Sequence, residues 1–179
     1  MHIHKLAADD IRTNALPDLC ELLRDAVSGG ASVGWVAVPS VREASAYWHG
    51  VADQVHSGAV MVLVAQESPQ VIGTVQLHFS KRPNGAHRAE VARLLVHSRA
   101  RRRGVGAALM AAIEEEALPY GVRLLVLDTR TGDPSQQLYE KIGYTLAGTI
   151  PHYARGTTGA LEPTSVMYKE ISEIGHHTT

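Results

Sequence analysis

The sequence has little cysteine and almost no net charge, and each shortage excludes a class of protein. Cys20 is the only cysteine in 179 residues, so no disulfide can form within the chain and a reducing compartment is expected. Lysine and arginine total 17 against 18 aspartate and glutamate residues. That balance creates no overall field that would attract nucleic acid or an anionic membrane. We therefore predict a protein that binds neither.

Long apolar runs are missing as well. A bilayer-spanning helix needs about 20 apolar residues, whereas a stretch such as 60–65 is far shorter. Residues 1–5 lack the apolar core of a signal peptide, so we predict a cytoplasmic location. The length favours a single domain, which we place at residues 1–171, followed by a loose tail at 172–179.

Convincing metal-ligand spacing is also missing, although the chain contains 10 histidines. His2 and His4 lie at one end of the sequence and His176 and His177 at the other, where histidines are expected to be solvated. We predict no metal site.

Segments with the periodicity of helices and of strands alternate along the chain. We predict strands at 2–6, 60–66, 71–80, 89–96, 123–129, 144–153 and 165–170, and helices at 15–27, 40–58, 105–118 and 133–143. Apolar residues alternate along 71–80, which predicts one buried face. The hairpin and the interleaved helices predict one α/β (α+β) domain with a mixed, mostly antiparallel sheet of about six or seven strands.

Two helix starts carry capping signals. Ser40 and Glu43 have the spacing of a capping box, in which each side chain satisfies an amide of the other residue. Asp133 is predicted to cap the last helix, with Pro134 in its first turn.

The segment Arg101-Arg102-Arg103-Gly104-Val105-Gly106 lies between a predicted strand and a predicted helix. Glycines permit backbone angles closed to other residues and leave room for a ligand, and amides at a helix N-terminus attract anions. The arginines, with Arg99, add positive charge. A solvated basic loop is the alternative. A dinucleotide fingerprint would need glycine in place of Leu109, and a P-loop would need Gly-Lys-Ser/Thr.

Two motifs around this turn resemble those of a known family. The run from Glu90 through residues 94–96 and the turn to Leu109 resembles the acetyl-coenzyme A motif of the GNAT superfamily of N-acetyltransferases, and residues 137–144 resemble its second signature. Within the superfamily the chain is most similar to the tabtoxin-resistance acetyltransferase type, in segments 29–34, 82–85, 88–91, 127–129 and 163–164. The resemblance covers nearly the whole chain and implies a GNAT fold with a splayed central pair of parallel strands.

The resemblance implies an enzyme with acetyl-CoA as its cofactor. It would transfer the acetyl group directly to a primary amine of a small molecule, such as an amino-acid-like toxin or antibiotic, and it would be a monomer or homodimer. Two alternatives stay open: an acetyltransferase for protein or peptide lysines or N-termini, and a non-catalytic acyl-CoA-binding module.

Three residues are candidates for the chemistry that the resemblance implies. Glu90 and Asp128 lie on the two splayed strands, and one of them would take the proton of an alkylammonium group with a pKa near about 10.4. Ordinary salt bridges with Arg88, Arg93 or Arg130 are the alternative for both. Tyr139 would protonate the departing thiolate as general acid, or would simply pack in the core beside Leu138 and Ile142.

The resemblance also assigns binding residues. The cofactor would contact the backbone of Leu94, Leu95 and Val96 and the turn with its neighbours, Arg101, Arg102, Arg103, Gly104, Val105, Gly106 and Ala107. Many relatives bind the cofactor through an asparagine where this chain has Gly132, with Asp133 and Ser135 nearby. The acceptor would contact Ser32, Trp35, Asn84 and Tyr153. Ser32 also fits a Gly-x-Ser-x-Gly elbow, but a nucleophile elbow must follow a strand, and a helix is predicted there.

Overall fold

The computed structural model describes residues 1–172, so nearly all of the predicted tail at 172–179 lies outside the described residues. Within them the strands are β1 His2–Lys5, β2 Val60–Glu67, β3 Gln70–Phe79, β4 Arg88–Val96, β5 Leu124–Arg130, β6 Thr145–Arg155 and β7 Leu161–Glu170. The helices are α1 Ala8–Arg12, α2 Leu16–Ser28, α3 Val41–His56, α4 Val105–Ala117 and α5 Pro134–Lys141. The sequence did not predict α1, a five-residue helix that buries only Ile11. Across residues 1–172, no helix is long and apolar enough to cross a membrane.

The strands form one seven-stranded sheet in the order β1-β2-β3-β4-β5-β7-β6. All neighbours run antiparallel except β4 and β5, which are parallel. These two strands pair only from Arg88↔Leu124 to Glu90↔Val126 and then diverge. The predicted mixed sheet with a splayed central pair is therefore confirmed, and the divergence leaves a gap at the C-terminal ends of both strands.

Helices cover both faces of the sheet at β2, β3 and β4, whereas β6 is almost entirely exposed. One face packs against α4, with Leu109 and Ile113 fully buried, and the other packs against α2 and α3, with Leu19 and Trp48 fully buried. Cys20 is buried in this second core, as the sequence indicated. Helices α2 and α4 contact β4 from opposite faces, and α5 contacts β5, so both strands that border the gap are packed against helices.

The expectation that 71–80 has a single buried face was wrong. Thr74 and Gln76 on the polar face of β3 are 0% and 1% exposed. Their side chains are satisfied inside the protein: Thr74 Oγ1 donates to the Leu63 carbonyl at 2.9 Å and Gln76 Nε2 to the Tyr47 hydroxyl at 3.0 Å. Hydrogen-bonded polar residues can be buried at modest cost, so the alternating pattern did not reveal the helices that cover them.

Asp133 stands at the predicted N-cap of α5, but its side chain does not cap the helix. Its Oδ1 instead accepts a hydrogen bond from Arg130 Nε at 2.9 Å. A charge-assisted bond to a guanidinium is stronger than a bond to a neutral amide. The amide of Gly132 donates to Gln136 Oε1 at 2.9 Å, so the Gln136 side chain satisfies a backbone amide of the segment that precedes the helix.

The predicted capping box at α3 is confirmed. Ser40 Oγ accepts from the Glu43 amide at 3.2 Å, and Glu43 Oε2 accepts from the Ser40 amide at 2.8 Å. We expect Ser40→Ala to lower the free energy of unfolding by about 1 kcal/mol, as measured by urea denaturation. Ser40→Thr keeps the acceptor oxygen and should lose clearly less. An equal loss in both variants would contradict a role for the cap.

Candidate active site

Two adjoining cavities lie where β4 and β5 diverge. The turn cavity, of about 560 Å³, is lined by the end of α2, residues 94–96 of β4, the 101–106 turn and the starts of α4 and α5. The carboxylate cavity, of about 330 Å³, is lined by residues 31–34, the middle of β4, the end of β5, Tyr139 and part of β6. Leu94 and Ser135 are among the residues that line both. A ligand that lies in the first can therefore reach the second.

Backbone conformation explains the glycines of the turn. Gly104 is the N-cap of α4 and has φ 80° and ψ 0°, a left-handed conformation that glycine adopts at low cost. At Gly106 a Cβ atom would lie 3.2 Å from the Leu138 side chain, so the small residue lets α4 approach α5 closely. Free amides of the first turn of α4 border this cavity, as an anion site requires.

The turn is anchored to α2 through Asp25. Asp25 accepts hydrogen bonds from the Ser98 amide at 2.8 Å and the Ser98 hydroxyl at 2.7 Å, and Arg101 Nη2 lies 3.8 Å from Asp25 Oδ2. Burial alone would raise the pKa of Asp25, but the Ser98 hydrogen bonds and the charges of His97 and Arg101 hold it below its usual value. The carboxylate thus stays ionised and fixes the start of the turn. No local pattern in the sequence indicated this partner, which is 73 residues away.

All the predicted cofactor residues except Arg103 line the turn cavity. Arg103 Nη2 instead contacts Glu67 Oε1 at 2.5 Å at the end of β2. The edge of β4 beyond Glu90 has no β5 partner, so strand-edge backbone groups within residues 94–96 are open to a ligand, although the Val96 carbonyl already accepts a hydrogen bond from Arg101 Nε at 3.1 Å. An anion site and an open strand edge therefore share one cavity.

Glu90, Asp128 and Tyr139, the three candidates for chemistry, all line the carboxylate cavity. Among residues 1–172 neither carboxylate lies within 4.0 Å of an arginine nitrogen, so the predicted salt-bridge alternative is absent there. Asp128 Oδ2 accepts a hydrogen bond from Thr164 Oγ1 at 3.1 Å. The site therefore holds two carboxylates that are open to a cationic group.

Tyr139 is only 7% exposed and has its ring centroid 5.7 Å from that of Tyr144, so it packs in the core while it lines the cavity. Burial, together with the negative charge of Asp128, raises the pKa of its hydroxyl above the ordinary tyrosine value. The hydroxyl keeps its proton at neutral pH and can donate it.

The predicted acceptor residues divide into two groups. Ser32 and Tyr153 line the carboxylate cavity, whereas Trp35 packs against the α2–α3 core and Asn84 lies exposed in the 3₁₀ turn Pro83–Gly85. Ser32 follows α2 and not a strand, which argues against a nucleophile elbow. Within residues 1–172 no group of three His, Cys, Asp or Glu side chains could hold a metal ion, and His176 and His177 lie outside the described residues.

Two arginines that were predicted only as possible salt-bridge partners also line the carboxylate cavity, Arg93 and Arg130. Arg93 had a signal: it interrupts the otherwise small and apolar run from Val91 to Val96. Arg130 had none, since arginines at strand ends are common.

Comparisons with known proteins identify similar acetyltransferases. A model of the acetyltransferase (GNAT) family matches residues 16–144. An uncharacterized N-acetyltransferase from the hisH-hisA intergenic region of Azospirillum brasilense is 36% identical over 124 residues, which cover 68% of this chain and 72% of that protein.

Solved structures share the fold. The ribosomal-protein-alanine N-acetyltransferase of Brucella melitensis superposes with a TM-score of 0.78 at 23% identity, over 96% of this chain and 100% of that one. YncA of Salmonella typhimurium, whose structure contains its cofactor acetyl-CoA, superposes with a TM-score of 0.77 at 18% identity, over 98% and 96% of the two chains.

Proposed function

Because the chain belongs to the GNAT family of acetyltransferases, whose cofactor is acetyl-CoA, we propose that it transfers the acetyl group directly to the primary amine of a small molecule. One observation carries this proposal. A turn with the geometry of an anion site and two carboxylates without a salt-bridge partner among residues 1–172 line adjoining cavities at the gap between β4 and β5. The donor and the acceptor would meet at that gap, and such positioning lowers the entropic part of the barrier.

The residues of the turn cavity fit acetyl-CoA, which supplies the acetyl group as a thioester. The left-handed Gly104 and the amides at the start of α4 suit a pyrophosphate, with Arg101 and Arg102 adding charge. The open β4 edge at residues 94–96 suits the amides of the pantetheine arm. Where many relatives have asparagine this chain has Gly132, and Asp133 is held by Arg130. The Ser135 hydroxyl shares a hydrogen bond with Thr129 Oγ1 at 2.8 Å, and a hydroxyl has capacity for a further bond, here to the cofactor.

The roles of the three candidates follow from their positions. Glu90 or Asp128 takes a proton from the acceptor ammonium group, directly or through water. Tyr139 holds a proton on its hydroxyl and releases it toward the departing sulfur. Backbone amides of residues 94–96 stabilise developing negative charge, a contribution that typically reaches about 10²–10³ in rate for each donor.

The size of the carboxylate cavity, about 330 Å³, supports a small acceptor over a protein. The resemblance to the tabtoxin-resistance type favours an amino-acid-like toxin or antibiotic. The open carboxylates of Glu90 and Asp128 are suited to a cationic amine. A protein or peptide acceptor is the second candidate, and a non-catalytic acyl-CoA-binding module is the third. A closed pocket that contained Trp35, Asn84 and Tyr153 would argue against a protein acceptor. Of these three predicted contacts only Tyr153 lines the carboxylate cavity, so an experiment must decide between small amines and peptides.

Acetyl-CoA at about a hundred times its Kd is expected to stabilise the protein by about 2.7 kcal/mol, which for a domain of this length raises Tm by about 5–10 °C. Thermal denaturation measures the shift. Acetyl-pantetheine lacks the pyrophosphate and should give a much smaller shift at the same concentration. If acetyl-CoA gives no shift, the assignment of the turn cavity fails.

The proposed activity is tested by coenzyme A release from acetyl-CoA with a panel of small primary amines and of peptides with free lysines or N-termini. We expect release that depends on a small amine. Release with peptides alone would favour the second candidate, and cofactor binding without release for any amine would favour the third.

A further inference from the structure

One cation of the carboxylate cavity has no partner in the part of the chain that the structure describes. Arg93 lines this cavity, and its Nε is buried without a hydrogen-bond partner. No described residue forms a hydrogen bond or an ion pair with its guanidinium. A buried, unsatisfied donor on a charged group is costly, so the site is incomplete without an acceptor from elsewhere.

The second arginine of the cavity, Arg130, differs from Arg93 because protein groups accept its hydrogen bonds. Arg130 donates from Nε to Asp133 at 2.9 Å, from Nη1 to Glu162 at 3.0 Å and from Nη2 to the Gly30 carbonyl at 3.0 Å. Each of its three guanidinium nitrogens donates to a protein group, and two of those groups are carboxylates that balance its charge. Arg93 is therefore the cation in this cavity that is available to a ligand.

The fold holds Arg93 in an unusual position. Its φ is 53°, in the left-handed region that L-residues rarely adopt, and it follows Ala92, where the pairing of β4 with β3 shifts register. The guanidinium lies against Gly34, where a Cβ atom would come within 3.2 Å of Nη2. The strained backbone of Arg93 and the absence of a side chain at Gly34 together allow the guanidinium to lie in the carboxylate cavity. Backbone strain of this kind clusters at functional sites.

A neighbouring histidine adds no second cation. His78 faces Glu90 across the β3–β4 pair. Burial, together with the positive charge of Arg93, lowers the pKa of His78 below its ordinary value, so His78 stays neutral at neutral pH. Among residues 1–172, the available charges that line the cavity are thus the carboxylates of Glu90 and Asp128 and the guanidinium of Arg93.

We propose that Arg93 binds the carboxylate of the acceptor, so that the acceptor is an amino acid or a close analogue, with its amine at Glu90 and Asp128 and its acid group on the Arg93 guanidinium. This inference rests on the proposed acetyl transfer to a small amine. A guanidinium presents parallel N–H groups that match both oxygens of a carboxylate. A zwitterion would complement all three available charges, whereas a simple amine would leave Arg93 without a partner.

The experiment compares matched probes. Each common amino acid with a primary amine is tested as acceptor against its methyl ester, which keeps the amine and the side chain but removes the negative charge. For acceptors that the wild-type protein uses, we expect kcat/KM for the free acid to exceed that for the ester by about 30-fold or more, the usual effect of leaving a buried charge unpaired. Arg93→Met should lower kcat/KM for the acid to near that for the ester.

Two further variants separate recognition from packing. Arg93→Lys keeps the charge without the fork, so it should retain part of the preference for the acid. Arg88→Met removes an exposed arginine from the same strand, outside both cavities, and should leave the preference unchanged. Equal losses for acid and ester in Arg93→Met would indicate a structural role and overturn the proposal. If Arg93→Met fails to fold, the wild-type acid-to-ester ratio and Arg93→Lys still decide.

Calorimetry measures binding of the same probes to protein saturated with coenzyme A. It distinguishes failure of the Arg93 site from failure of the proposed acetyl transfer. Binding that depends on the carboxylate, without acetyl transfer, would support the Arg93 site and overturn the proposed activity. Acetyl transfer with equal use of acids and esters would support the activity and overturn the Arg93 site. Neither binding nor transfer with any probe would also overturn the Arg93 site.

Discussion

Replacing Tyr139 by phenylalanine is expected to lower kcat by about 10²–10⁴-fold, the usual contribution of a positioned proton donor, with little change in acetyl-CoA binding. The substitution removes only the hydroxyl, because the ring contact with Tyr144 and the packing in the core remain. Steady-state kinetics with the amine found in the screen measures kcat, and the thermal shift with acetyl-CoA measures binding.

Tyr144→Phe is a matched control. Tyr144 is also a buried tyrosine of the same core cluster, but it lines neither cavity. We expect loss of the Tyr144 hydroxyl to leave kcat near the wild-type value. An unchanged kcat in Tyr139→Phe, or an equal fall in both variants, would remove the proposed general acid.

The protonation state of Tyr139 predicts how kcat of the same reaction should depend on pH. Burial raises the pKa of the Tyr139 hydroxyl in the folded protein, so its proton is retained below that raised value and lost only above it. Deprotonation of Tyr139 therefore should not lower kcat between neutral pH and the ordinary tyrosine pKa of about 10. With this raised pKa, Tyr139 stays protonated, and so remains a proton donor, over that whole pH range.

Local signals in the sequence were sufficient for much of the fold and for the turn. Gly104 and Gly106 mark a sharp entry into α4, and the Ser40 capping box marks the start of α3, because each depends on residues within a few positions. The same holds for the hairpin of β2 and β3. These features form from neighbouring residues, so the sequence carries them directly.

Contacts between distant residues account for what the sequence did not predict. Arg130 reaches the Gly30 carbonyl across 100 positions, and Arg103 turns away from the cavity to Glu67, 36 positions earlier. Which arginine of a basic cluster meets a ligand depends on where other strands place their carboxylates. The availability of Arg93 likewise depends on a register shift between β3 and β4 and on the position of Gly34.

The location of the site depends on both kinds of information. The motifs placed the turn and Glu90 on consecutive elements, and the family resemblance placed Asp128 on the neighbouring splayed strand. The sheet order and the cavity lining show that Asp128 and Tyr139 meet Glu90 in one cavity. The gap arises because β4 and β5 pair over three residues and then part. A site between two strands thus follows from where their hydrogen bonding stops.

Replacing Glu90 by glutamine is expected to lower kcat/KM at neutral pH by about 10²–10⁴-fold if Glu90 is the main base. The amide keeps the size of the side chain but cannot take a proton from the acceptor. The loss should shrink as pH rises toward about 10, because an alkylammonium group with a pKa near about 10.4 then releases its proton to water unaided. A pH–rate profile of the variant and the wild type measures this convergence.

Asp128→Asn is the matched comparison, because an amide oxygen at that position can still accept the hydrogen bond from Thr164. Glu90 ends the paired part of β4 at the mouth of the gap, whereas Asp128 lies two residues beyond the last β5 residue paired with β4. If Glu90 is the main base, its variant should show the larger loss at neutral pH and the stronger recovery at high pH. Full activity of Glu90→Gln at neutral pH, with a loss in Asp128→Asn, would transfer the role to Asp128. Wild-type rates in both variants would mean that the acceptor reaches the site already deprotonated.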